Sequence, residues 1–127
     1  MRLTLNFIFL LVILTSGCSI AQEPGNIDAK EFSRLINEKN GVVIDIRTPE
    51  EFSTGHIPGA VNINYYNEDF LQQIVKQFSN DMPLFLYCAS ANRSTKAMKQ
   101  MKENNFTQVY NLIKGIPAWK EAGFETE

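Results

Sequence analysis

A chain of 127 residues, 44% hydrophobic and 20% charged, has apolar material for one ordinary globular core. A net charge of −2, with no basic block, argues against nucleic acid as a partner. Two cysteines, Cys18 and Cys88, and one histidine, His56, lack metal-ligand spacing, so neither a metal nor another cofactor is expected.

The first predicted element is an export signal. MRLTLNFIFLLVILTSGCS sets Arg2 before an apolar run, Leu3 to Leu14, then adds the small residues Thr15, Ser16 and Gly17. The run is short for a membrane span, which needs about 20 residues. Its end, LTSGC, resembles a bacterial lipobox, although Thr15 stands where that motif prefers an aliphatic residue. The resemblance implies cleavage after residue 17 and a lipid on Cys18. The protein would then be exported to the periplasm or cell envelope and anchored to a membrane. An ordinary signal peptide with an incidental Cys18 is the alternative. Loss of residues 1–17 removes Arg2 and no acid, leaving 11 basic against 14 acidic residues, a balance of −3. With Cys18 lipidated, Cys88 is the sole free thiol, and an unpaired thiol in an exported protein points to a reactive one.

Residues 18–26 read as a tether and residues 27–127 as one domain, expected to be monomeric. Asp28 and Glu31 form a capping-box pattern before a helix whose inward face is Phe32, Leu35 and Ile36, with Gly41 as its stop. VVIDIR, Val42 to Arg47, reads as a buried strand. Thr48, Pro49 and Glu51 suit the cap, first and third positions of a short helix. STGHIPGA is a loop and AVNI a strand. NEDFLQQIVKQF presents Phe70, Leu71, Ile74, Val75 and Phe78 at helical spacing. The strand LFLYC follows, then the helix STKAMKQMKENN with Ala97, Met98 and Met101 inward. QVYNLI is a further strand. A helix in IPAWKEAG starts at Pro117 and stops at Gly123.

Strands alternating with helices predict an α/β fold with a mostly parallel sheet. Sites in such sheets lie beyond the carboxyl ends of the strands, and Cys88 ends one. In CASANRS, the small residues Ala89, Ser90 and Ala91 allow a tight turn, with Asn92, Arg93 and Ser94 leading into the helix. Its amides would form an anion-binding nest, aided by the helix N-terminus and Arg93. A cysteine there has its pKa lowered from about 8.5. A lone buried cysteine at a strand end is the plainer alternative.

Three segments carry a family resemblance. VVIDIRTPEEFSTGHIPGAVNI, Val42 to Ile63, resembles the first signature of the rhodanese domain. YCASANRS resembles that family's active-site loop, and LIKGIPAWKEAGF, Leu112 to Phe124, its closing signature. The resemblance implies a rhodanese-like domain with a central, mostly parallel sheet of about five strands flanked by helices. It also implies sulfurtransferase activity through a persulfide on Cys88, with Arg93 as the loop arginine. The partners would be a small sulfur donor, thiosulfate or a persulfide, and a thiophilic acceptor.

Two residues depart from the family pattern. Ala91 and Lys114 stand where many members have glycine. Ala91 then either takes a positive φ at a cost of about 1–2 kcal/mol or reshapes the loop. Arg93 is the only cation within the loop, which disfavours thiosulfate as donor. Asp45 and Arg47 are candidates for supporting the loop, with an internal ion pair as the alternative. His56 is a candidate for the same role or a hydrogen-bonded turn residue. Glu51 is read as a cap and Trp119 as packing. A persulfide carrier or sulfur sensor is the second functional reading. A cysteine phosphatase is a distant third, because only four residues, Ala89 to Asn92, separate Cys88 from Arg93. A thiol–disulfide oxidoreductase lacks its second cysteine.

Overall fold

The computed structural model of the protein describes residues 22–127. The expected signal segment and Cys18 lie outside the described residues. Five strands, β1 (Asn26–Ile27), β2 (Val42–Asp45), β3 (Val61–Asn62), β4 (Leu84–Tyr87) and β5 (Val109–Leu112), form one sheet in the order β1-β5-β4-β2-β3. Every pairing is parallel. Helices α1 (Ala29–Lys39), α2 (Pro49–Ser53), α3 (Phe70–Gln77), α4 (Asn92–Glu103) and α5 (Ile116–Glu121) make the connections. The fold is therefore α/β with a central parallel sheet of five strands flanked by helices, as the sequence implies. β1 was not anticipated, and it begins one residue before the expected domain start. It has only two residues, too few for any periodic signal, and exists by pairing with β5.

Strand alternation divides the core. Leu84, Leu86 and Cys88 face α3 and α4, joined by Ile44, Ile74, Ala97 and Met101. Phe85 and Tyr87 face α1 and α5, joined by Phe32, Leu35, Tyr110 and Trp119. β4 is buried on both faces, which its unbroken apolar run requires. Trp119 packs at the edge of Phe32 and donates its indole N–H to Glu125 O at 2.8 Å.

Three local readings are corrected. The left-handed stop of α1 is Asn40, at φ 50°, not Gly41. Gly41 is required by packing, since a Cβ there would stand 2.1 Å from the Phe85 ring. Val75, grouped at helical spacing with Phe70 and Ile74, is 52% exposed, because those two already fill the sheet side of α3. The strand ending at Cys88 stops at Tyr87, and α4 starts two residues before Ser94. Cys88 thus opens the turn instead of closing the strand.

Candidate active site

β4 lies between β5 and β2, so its carboxyl end is the centre of the sheet's C-terminal edge. The turn Cys88–Ala91 carries the chain from there into α4. Cys88 is fully buried, and the loop closes on its sulfur. The Ala91 N–H donates to Sγ at 3.1 Å, and Ser94 Oγ, also buried, lies 3.5 Å away. Burial pushes the thiol pKa up. Hydrogen bonds from the Ser94 hydroxyl and the amides of Ser90, Ser94 and Ala91 outweigh it, and the pKa falls below the ordinary thiol value. No side chain caps α4, which leaves its first amides facing the turn.

Ala91 achieves this shape at φ 79°. The loop therefore keeps the left-handed residue that glycine would supply freely, and alanine bears a strain of about 1–2 kcal/mol. Lys114 behaves likewise, at φ 64°. Beside it, Gly115 at φ 68° brings the closing turn onto the loop backbone. A Cβ on Gly115 would lie 2.4 Å from the Cys88 carbonyl oxygen and 2.8 Å from Ser90 N. The Ile116 N–H then donates to that same carbonyl at 3.0 Å. The closing signature thus braces the backbone of the reactive turn.

Arg93 is already paired. Its Nη1 and Nη2 donate to Glu51 Oε1 and Oε2, each at 2.8 Å, a bidentate contact. The guanidinium carbon also lies 5.2 Å from the centre of the Tyr66 ring, whose residue is 66% exposed. Glu51 does serve as a cap, accepting from the Thr48 N–H at 3.2 Å, but it also neutralises the loop cation. Sequence reasoning missed both Glu51 and Tyr66 as site residues. Glu51 and Arg93 are 42 positions apart, and only the β2–β4 pairing brings α2 beside the loop.

The Arg93 guanidinium prevails over partial burial and, with the Thr48 amide, holds the Glu51 carboxyl at about 2, against an ordinary 4.5. The folded value lies below the unfolded one, so this pairing contributes fully above pH 4.5 and is lost as pH falls towards 2. The Glu51 side chain is 34% exposed, so solvent screening reduces the contribution to about 1–2 kcal/mol. Urea unfolding at a series of pH values should show wild type losing that much more than Glu51→Gln across this window. Parallel pH curves would contradict the assignment.

Asp45, Arg47 and His56 are placed elsewhere. Arg47 Nε donates to Asp45 Oδ1 and Oδ2 at 3.0 and 3.1 Å, and Arg47 Nη2 donates to Oδ2 at 2.6 Å and to Gly55 O at 2.8 Å. Both residues are buried, and the guanidinium sits over Tyr87. This is the internal ion pair, and among the described residues none of its hydrogen bonds reaches the loop. His56 stacks on Phe52 at 3.7 Å, with Nδ1 3.1 Å from Phe52 O and Nε2 3.3 Å from Glu127 Oε1. It ties α2 to residue 127, and among the described residues no hydrogen bond links it to Cys88 Sγ.

Comparison with known proteins agrees with this architecture. The rhodanese-like domain profile matches residues 28–122. Thiosulfate sulfurtransferase 16, chloroplastic, of Arabidopsis thaliana is 37% identical over 93 residues, covering 66% of this chain and 78% of that protein. Thiosulfate sulfurtransferase GlpE of Shewanella oneidensis is 32% identical over 97 residues, covering 76% and 93%. The tRNA uridine(34) hydroxylase of Pelagibacter ubique is 30% identical over 107 residues, covering 82% of this chain but 36% of its own length. The solution structure of the rhodanese-like domain of an Anabaena sp. protein superimposes with a TM-score of 0.74 at 25% identity, covering 84% of this chain and 80% of that one. With its parallel five-stranded sheet and its cysteine turn at the end of β4, the chain belongs to the rhodanese-like domain family.

Proposed function

We propose that the protein is a sulfurtransferase that carries a sulfane sulfur on Cys88. The observation behind this reading is the buried thiol with a depressed pKa, ringed by the Ala91 amide and the Ser94 hydroxyl. Relatives named as thiosulfate sulfurtransferases support it, while the hydroxylase relative shows that family membership alone does not define the reaction.

The Cys88 thiolate attacks the outer sulfur of the donor. A new S–S bond forms, the donor's own S–S bond breaks, and sulfite (or a thiolate) leaves with the electron pair. A leaving sulfite needs no proton, so a site without a histidine suffices. Cys88 then holds a persulfide whose negative charge meets the loop amides. A nucleophilic acceptor takes the terminal sulfur and restores the thiolate, a double displacement with ping-pong kinetics. Intact mass after exposure to thiosulfate, polysulfide and a phosphate ester in turn tests the reaction class. One added sulfur atom, mapped to Cys88, is expected with a sulfur donor. A phosphate adduct, or no adduct with any sulfur donor, overturns the reading.

The preferred donor follows from charge. Thiosulfate carries two negative charges, whereas Arg93 is held by Glu51 and Ala89 and Ser90 carry none. One missing surface cation weakens anion attraction by about 1 kcal/mol, several-fold in affinity, and salt screens the rest. We expect a higher kcat/KM with a low-molecular-weight persulfide than with thiosulfate. Ala89→Arg should improve the thiosulfate reaction selectively, chiefly through KM. Measurement at two ionic strengths checks both, and a wild-type preference for thiosulfate sinks the argument.

The same proposal places the domain outside the cytoplasm on a lipid tether, supported by LTSGC before the domain. Palmitate labelling that persists in Cys18→Ala would refute the anchor.

A further inference from the structure

Tyr66 belongs to neither core cluster, yet its position is fixed. It lies in the connection from β3 to α3. The Asn67 N–H donates to Asn64 O at 3.1 Å, which closes a β-turn with Tyr65 and Tyr66 at its centre. Inside that turn the Asn64 side chain accepts from the Tyr66 N–H at 3.0 Å. Tyr65 anchors the turn to the domain. Its N–H donates to Ile46 O at 3.0 Å, and its ring packs at the edge of Phe70, with 5.3 Å between centres. One tyrosine thus packs on the core, and the other is held out beside Arg93.

Exposure gives the order of the layers. The Arg93 side chain is 15% exposed, whereas Tyr66 is 66% exposed, with its ring centre 5.2 Å from the guanidinium carbon. The ring therefore stands outside the cation. Glu51 takes an N–H from each terminal nitrogen, two of the five that a guanidinium carries. Arg93 is closed along one edge by a carboxylate and on one face by an aromatic ring. The cation is nevertheless close to the chemistry. Its pKa stands above the ordinary value chiefly because of Glu51, with burial opposing, and Tyr66 and the Cys88 sulfur add to the rise. A dianion approaching Cys88 would draw on this guanidinium, and it finds the guanidinium covered.

We propose that Tyr66 is a specificity-determining residue whose ring screens Arg93, so that Cys88 selects sulfur donors of low charge, organic persulfides, over doubly charged oxoanions such as thiosulfate. The proposal rests on the sulfurtransferase reading above and names the residue that sets its donor class. With an organic persulfide R–S–SH, the Cys88 thiolate attacks the outer sulfur and a new S–S bond forms. The bond from that sulfur to R–S breaks, and R–S⁻ leaves with the electron pair. The proton stays on the transferred sulfur, and no oxoanion has to be seated.

The test uses the whole chain, with thiosulfate and cysteine persulfide as donors. Tyr66→Ala should raise the ratio of kcat/KM for thiosulfate to that for cysteine persulfide about threefold to fivefold at low ionic strength, through the thiosulfate KM, and the gain should fade as salt rises. Tyr66→Phe keeps the ring and should keep the wild-type ratio. In an Arg93→Gln background, Tyr66→Ala should leave the ratio unmoved, because no cation is left to uncover. A ratio unmoved by Tyr66→Ala alone, or an equal gain in Tyr66→Phe or in the Arg93→Gln background, overturns the proposal. Iodoacetate and iodoacetamide read the same screen without sulfur chemistry. They are similar in size, one charged and one neutral, and both need the thiolate, so their rate ratio at Cys88 does not follow the thiol pKa. Followed by the mass of the Cys88 peptide, that ratio should rise about twofold in Tyr66→Ala. A Cys88 that reacts with neither reagent in the folded protein also overturns the proposal. A rise in the alkylation ratio without any sulfur uptake would overturn the sulfurtransferase reading and leave the screen standing, whereas sulfur uptake with neither ratio moved would remove the screen alone.

Discussion

Cys88→Ser is expected to take up no sulfur and to lose turnover by a factor on the order of 10³ or more, while remaining folded. The loss follows from chemistry. A serine hydroxyl stays protonated where the Cys88 thiol, lowered by the Ser94 hydroxyl and loop amides against the opposing effect of burial, ionises. It also cannot form a stable bond to sulfane sulfur. The fold survives for a separate reason. The substituted oxygen finds the same partners, the Ala91 N–H and Ser94 Oγ, so no buried polar group is orphaned. Intact mass after polysulfide treatment measures uptake, and circular dichroism with urea unfolding measures the fold. Turnover retained by a folded Cys88→Ser protein would remove Cys88 from the mechanism.

Arg47→Met should destabilise the domain by about 3–5 kcal/mol, the usual cost of stranding one member of a buried ion pair. Asp45 is fully buried and takes three side-chain hydrogen bonds from Arg47, keeping only the Arg47 backbone N–H once these are gone. Gly55 O loses its donor as well. That is a large share of a total stability of about 5–15 kcal/mol. The double variant Asp45→Leu/Arg47→Met should recover much of the loss, because it removes both charges. Urea midpoints with unchanged slopes provide the measure, and a single-variant cost below about 1 kcal/mol contradicts the buried pair. Sulfur uptake per folded molecule should stay within several-fold of wild type. A far larger drop in fully folded Arg47→Met would bring the pair into the site.

These two residues also separate what the chain announces from what it conceals. Cys88 is legible because its surroundings in the sequence are its surroundings in space. The segment from Cys88 to Ser94 is contiguous, and the small residues, amides and Ser94 that act on the sulfur all come from it. The helix faces of α1 and α4 and the all-apolar β4 are legible for a similar reason, since periodic burial leaves a periodic pattern. Asp45 and Arg47 were visible only as two alternatives. Register decided between them by setting Asp45 beside Tyr87, where the Arg47 guanidinium lies over the Tyr87 ring and donates to Gly55 O.

The sequence by itself determined the alternation of strands and helices, the parallel sheet it implies, and the cysteine turn at its centre, because each is written in local pattern and local chemistry. Only the tertiary structure decided that Ala91 takes the left-handed conformation, that Gly115 must lack a side chain to pack on the Cys88 carbonyl, and that Arg93 is neutralised by Glu51. Each of those depends on two segments meeting, α2 or the closing turn against the loop. No local propensity encodes which distant group will arrive there, or at what distance.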